Sequence, residues 1–191
     1  MDARSPLVVN THELGRRPGA SRALERTVPA PADLGTEVIA VPEGSDIELD
    51  LRLDSVLDGV FVSGTARART HGECVRCLQE LHGEVEAEMS ELYYYPDTRA
   101  TLIEEGDEEA EELPVVEDEH LDLEPVLRDA VVPALPFQPL CRPDCPGLCA
   151  GCGQRWDELE PDHHHEQLDP RWAALTALLE DDQTPDEEEG R

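Results

Sequence analysis

All six cysteines of this 191-residue chain fall in two clusters, Cys74-Val75-Arg76-Cys77 and the run from Cys141 through Cys145 and Cys149 to Cys152. His163, His164 and His165 follow within loop distance of Cys152. Outside a secreted disulfide scaffold, cysteines gathered in short turn-compatible pairs point to metal or redox use. Thiolate and imidazole together favour zinc, a borderline-soft ion that takes four short ligands in a tetrahedral shell.

Cys149-x2-Cys152-Gly153 reads as a zinc knuckle: the first thiol opens a tight turn, backbone N–H groups point at the sulfurs, and glycine permits a positive φ after the second ligand. His163 and His165 would complete a neutral Cys₂His₂ set. Cys74, Cys77, Cys141 and Cys145 then form a possible Cys₄ set of charge −2, with Arg76 and Arg142 between the ligands to offset it. Two zinc ions per chain are therefore expected. In a second arrangement Cys141, Cys145, Cys149 and Cys152 share one metal and the three histidines form a solvated run beside Glu166. A redox Cys-x-x-Cys needs a strand before it and a helix after it, whereas a strand-like run follows Cys77. Closed four-ligand shells leave no position for a reacting water. No Gly-rich phosphate loop, nucleophile elbow or HExxH motif accompanies them, so no catalytic residue is assigned and no enzyme is expected.

Elements are needed to hold these loops. Ile47, Leu49, Leu51 and Leu53 alternate with Glu48, Asp50, Arg52 and Asp54, and Val38 and Ala40 alternate before them. Val60 to Arg69 and Glu84 to Tyr93 are further strand-like runs, which together predict an antiparallel meander with one wet face. Leu123, Val126, Leu127, Ala130 and Val131 define an amphipathic helix over Asp122 to Val132, with Pro125 in its first turn and Pro133 stopping it. Asp169-Pro170 opens a second short helix that carries Trp172, Leu175 and Leu179. Arg17 to Ala32 has turn residues and no steady period and reads as an arm or irregular loop. Residues Glu104 to Glu124 hold 12 acids in 21 positions and read as a solvated loop. The expected fold is α+β: an antiparallel sheet with a packed amphipathic helix, then a C-terminal Cys/His knuckle segment and a short helix. The expected organisation is a β-rich region with an N-terminal arm over 1–100, an acidic loop over 101–120, the helix and Cys-rich segment over 121–180, and an acidic tail over 181–191.

Charge limits the partners. With 45 acidic and 15 basic residues the formal net charge is −30, and every basic residue is arginine. A generic polyanion-binding surface is not expected from such a chain. If RNA is touched, clustered cations are required, and Arg67, Arg69 and Arg76 are the candidates. No apolar run reaches the roughly 20 residues needed to cross a bilayer. Met1 to Ala20 also lacks the unbroken apolar stretch of a signal peptide, so a soluble, cytoplasmic protein is expected, with neither membrane nor small-molecule substrate as partner.

Gly72-Glu73-Cys74-Val75-Arg76-Cys77-Leu78, the helix with Pro133-Ala134-Leu135-Pro136, Pro139-Leu140-Cys141 through Gly153, and Asp169-Pro170-Arg171-Trp172-Ala173-Ala174-Leu175 occur in that order. In this combination the chain resembles the YceD family (DUF177) of large ribosomal RNA subunit accumulation proteins, from about Leu7 to Leu179. Many members carry Cys-x-Cys where this chain has His163-His164-His165, which supports His163 and His165 as replacement ligands. The resemblance implies a bacterial ribosome-assembly factor required for accumulation of large-subunit (23S) ribosomal RNA, its gene often beside that of a zinc-binding ribosomal protein. The implied partners are a large-subunit ribosomal RNA precursor, a basic large-subunit ribosomal protein, or both. Acidity favours the basic protein. The competing reading is a zinc-dependent interaction or zinc-handling module without RNA contact.

Overall fold

A computed structural model describes residues 5–165. The helix expected at Asp169–Glu180 and the acidic tail lie outside the described residues. The chain divides into two compact units, Met1–Cys145 and Pro146–Arg191.

The first unit is built on an antiparallel sheet of β2 (Ser21–Pro29), β3 (Leu34–Gly35), β4 (Ile39–Val41), β5 (Asp46–Ser55), β6 (Gly59–Glu73) and β7 (Glu80–Tyr94). Spatial order is β2-β5-β6-β4-β3, with β7 also pairing β6. The alternation in the sequence becomes burial: Ile47, Leu49, Leu51 and Leu53 of β5 face the core with Val60, Val62, Ala66 and Ala68 of β6. In β4 the buried pair is Ile39 and Val41, one residue out of phase with the expected Val38 and Ala40. A separate ladder joins β1 (Val8–Asn10) to β8 (His120–Asp122). Helix α1 spans Pro96–Glu104 and α2 spans Glu124–Ala134.

α2 packs against β7 and β3, burying Val126, Leu127 and Val131. Arg128 pins it there, donating to Ala32 O at 2.7 Å and Asp33 O at 3.0 Å while pairing with Glu124. The expected stop at Pro133 is corrected: this proline lies in the last turn, and the helix ends where Leu135 turns extended (ψ 144°). Pro136 follows, and the ring of a proline disfavours helical geometry in the residue before it, here Leu135.

Two loop expectations also change. Arg17 to Ala32 is no irregular arm, because β2 pairs residue for residue with β5 from Ser21↔Asp54 to Pro29↔Asp46. Its period is disguised because Arg22 and Arg26 share the inner face with buried Leu24 and Val28. Their stems lie along that face and their heads reach carbonyls, Asn10 O at 3.3 Å and Pro6 O at 3.0 Å. The acidic stretch is also no plain solvated loop. It contains the end of α1 and all of β8, and Ala110, Val116, Leu121 and Leu123 are buried within it. Tyr94 and Val116 fasten it to the end of β7 through Tyr94 N–H to Pro114 O and Val116 N–H to Tyr94 O, at 2.8 and 2.9 Å. Four apolar anchors suffice because the acids from Glu104 to Glu119 are exposed, while half-buried Asp122 accepts the Glu124 N–H at 3.0 Å.

Candidate metal centres

The β6–β7 connection carries Cys74 and Cys77. Cys74 N–H donates to Gln79 O at 2.8 Å, and Leu78 N–H donates back to Cys74 O at 2.9 Å. This closes the turn so that both thiols face inward, Cys74 fully buried and Cys77 nearly so. After α2 the chain returns to this loop. Val75 N–H donates to Pro139 O at 3.0 Å, and the thiols of Cys141 and Cys145 arrive beside the first pair. Cys74 Sγ lies 3.8 Å from Cys145 Sγ, and Cys77 Sγ lies 3.7 Å from Cys141 Sγ. A tetrahedral shell with Zn–S of about 2.3 Å has edges of about 3.8 Å, so these sulfurs already stand at ligand spacing. Arg76 Nη1 donates to Cys145 O at 3.0 Å, tying the two halves together. Arg142 instead pairs with Asp144.

Within this set the protons are unevenly held. Burial pushes the Cys74 thiol up, but backbone hydrogen bonds from Cys141, Cys77 and Arg76 outweigh it and bring the group down to about 6. Burial pushes Cys141 up to about 12, reinforced by hydrogen bonds with the Cys145, Cys77 and Cys74 side chains. A thiol held low at Cys74 beside one held high at Cys141 suits a site that takes up a cation and discharges protons as it does so.

The second unit repeats the same turn. Cys149 N–H donates to Gln154 O at 2.7 Å and Gly153 N–H to Cys149 O at 2.8 Å, the bonds that Cys74, Gln79 and Leu78 make in the first loop. The position after the second cysteine is left-handed in both, with φ of 71° at Gly153 and 58° at Leu78. Backbone hydrogen bonds from Cys152 hold the Cys149 thiol below its ordinary value against the opposing effect of burial. His163 Nε2 stands 3.4 Å from Cys149 Sγ and 3.6 Å from Cys152 Sγ. The N···S edge of a tetrahedral zinc site is about 3.5 Å. His165 completes the group, all four donor atoms lying within 4.8 Å of one another. Its ring fits because residue 151 is glycine: a Cβ there would stand 2.3 Å from His165 Cδ2. His164 points away, its Nδ1 on Asp162 O at 2.9 Å.

Both groups can hold a metal ion, and the donor sets fit zinc. Cys141 and Cys145 join Cys74 and Cys77, not Cys149 and Cys152, which corrects the alternative four-cysteine arrangement. Sequence reasoning missed Leu78, which occupies the knuckle's left-handed position in place of glycine; superposing the two Cys-x-x-Cys strings would have exposed it. Arg67 and Arg69 do share one strand face, but each has acids opposite. Arg67 registers with Glu48 and Glu86 and donates to Glu86 at 3.0 Å, and Arg69 registers with Glu84. The Arg67 guanidinium holds Glu86 below the usual carboxylate range. Arg76 is engaged at the thiol loop. Among the described residues no helix is long and apolar enough to cross a membrane.

Comparison with known proteins places the chain. A family profile described as "Large ribosomal RNA subunit accumulation protein YceD" matches residues 62–179. An uncharacterized protein of Mycobacterium tuberculosis is 49% identical over 175 residues, covering 92% of this chain and 82% of that protein. An uncharacterized protein of Mycobacterium leprae is 46% identical over 178 residues, 93% of this chain and 80% of its own length. The uncharacterized protein YlbN of Bacillus subtilis is 27% identical over 110 residues, 57% of this chain and 60% of its own length. No solved structure gives a significant match.

Proposed function

The chain belongs to the YceD family of large ribosomal RNA subunit accumulation proteins, and from that membership we propose that it is a non-enzymatic, zinc-stapled assembly factor of the large ribosomal subunit, acting in the cytoplasm. The carrying observation is that the matched segment contains both thiol loops and the helix between them. In this reading Cys74, Cys77, Cys141 and Cys145 hold one zinc, and Cys149, Cys152, His163 and His165 a second. Zinc supplies folding energy and a fixed loop geometry, and no chemical step.

Contact runs through a basic large-subunit ribosomal protein. A formal charge of −30 attracts a basic partner over several ångströms and speeds encounter, and the acids facing Arg67 and Arg69 weaken a phosphate-binding role for that strand face. The test is affinity purification from a mycobacterial lysate with and without RNase, read for RNA and protein, beside the ratio of 23S to 16S RNA in cells depleted of the relative. The expected results are an RNase-resistant basic ribosomal protein and a falling ratio that the wild-type chain restores. Capture lost on RNase treatment shifts the contact to RNA, and an unchanged ratio overturns the assembly role in favour of zinc handling.

A further inference from the structure

Beyond the two thiol-containing groups, one more set of donors converges among the described residues. The ladder of β6 and β7 places His71 opposite His82 and Glu73 opposite Glu80. Side chains two apart on a strand share a face, so all four emerge together at the end of this hairpin, and all are exposed. His71 Nε2 lies 2.7 Å from Glu80 Oε1, and His82 Nε2 lies 3.5 Å from the same oxygen. The two imidazoles stack, centroids 5.1 Å apart and planes 14° apart. Both ε-nitrogens are thus aimed at one carboxylate oxygen, and one ligand atom from each residue lies within 4.8 Å of the others.

This is the layout of a three-ligand metal face. With metal–ligand distances of about 2.0–2.2 Å, the edges of a tetrahedral shell are about 3.3–3.5 Å. The two nitrogen-to-oxygen separations need only sub-ångström adjustment of exposed side chains to meet it, and the third edge, within 4.8 Å, closes by rotation of the exposed imidazoles. Local charge favours the same occupant. Glu73 and Glu80 are like charges directly opposite, which destabilises a strand pair, and a bound cation removes that repulsion. Ligands carried on two paired strands are also held in place before the ion arrives.

We propose that His71, Glu80 and His82 form a third metal site, open to solvent, for a first-row divalent cation such as zinc, with its remaining coordination position filled by water. Two imidazoles and a carboxylate suit zinc, and a three-ligand shell is the open kind. Lacking thiolate, the site exchanges its ion while the cysteine groups retain theirs. The inference does not depend on the ribosomal reading.

The experiment uses the full chain with its thiol groups already zinc-filled. Equilibrium dialysis against zinc should find one additional equivalent. His71→Asn with His82→Asn should abolish it, Glu80→Gln should weaken it at least about tenfold, and His12→Asn, on another surface cluster, should leave it intact. Cobalt(II) added to the unmodified chain should broaden the His71 and His82 imidazole resonances first, a readout that needs no variant. Absence of the additional equivalent at saturating zinc overturns the proposal. So does its persistence in the double variant, or broadening confined to other histidines; either would mean diffuse binding by the acidic surface.

Discussion

Cys145→Ser removes one ligand from the four-thiol group, and its effect can be worked from the chain separations that the metal closes. Cys77 and Cys141 are 64 residues apart and Cys74 and Cys145 are 71 apart. Treated as a cross-link, a metal that closes a loop of that length restricts the unfolded chain by about 4 kcal/mol. In a chain of this size each kcal/mol moves the melting temperature by about 2–4 °C, so losing the staple should lower it by about 8–16 °C. Cys152→Ser provides the contrast, since the Cys149–His163 separation is 14 and the loop lies wholly in the second unit. It should loosen that unit to protease while the sheet melts nearly as before. The assay is thermal unfolding followed by circular dichroism, with and without chelator, for wild type and both variants. Chelator should bring wild type down to the Cys145→Ser value and leave that variant almost unmoved. A wild-type melting temperature that chelation shifts by less than about 2 °C would refute the staple, since under 1 kcal/mol would then cross it.

Zinc uptake by the four-thiol group should vary with pH in a particular way. The Cys74 group sits below its ordinary value, at about 6, so its ionisation favours the metal-free fold at high pH and that benefit fades as pH falls through 6. Titrations in buffers of different ionisation heat should then show about one more proton displaced per zinc below pH 6 than above it. Leu78 holds a left-handed backbone at φ 58°, a cost of about 1 kcal/mol for a non-glycine residue. Leu78→Gly should therefore keep full metal content without loss of stability, whereas β-branched Leu78→Val should destabilise the loop in chelator titrations. Replacing Arg67, Arg69 and Arg76 together by Gln should leave the capture of a basic ribosomal protein intact; a flattened salt dependence of RNA binding would instead assign these arginines to phosphate contacts.

The parts legible in sequence were those with short-range signatures. The period of Ile47 to Leu53 and the i, i+3, i+4 stripe on α2 follow from one face being dry, and both elements were placed to within two residues or so. The knuckle at Cys149 was legible because Gly153 advertises the left-handed turn. The same turn at Cys74 was hidden because Leu78 fills that position. β2 escaped because an edge strand draws its order from the partner ladder, and two arginines interrupt its apolar face. α1 escaped for a related reason: it buries no residue, so it has no stripe to read. The pairing of Cys74 and Cys77 with Cys141 and Cys145 was only one of two arrangements that spacing allowed. What decides it is the return of the chain after α2, marked by the Val75 to Pro139 hydrogen bond. The His71, Glu80 and His82 cluster depends on strand register, which single-sequence periodicity does not supply.

The central claim is that the two groups of four donors are closed zinc sites. Elemental analysis of the full chain, purified without chelator and desalted to strip exchangeable ions, tests it most directly when read beside thiol titration. The account predicts about two zinc ions per chain and thiols that react only after chelation or denaturation. Less than about half an equivalent of zinc, with all six cysteines freely titratable in the native chain, would contradict it.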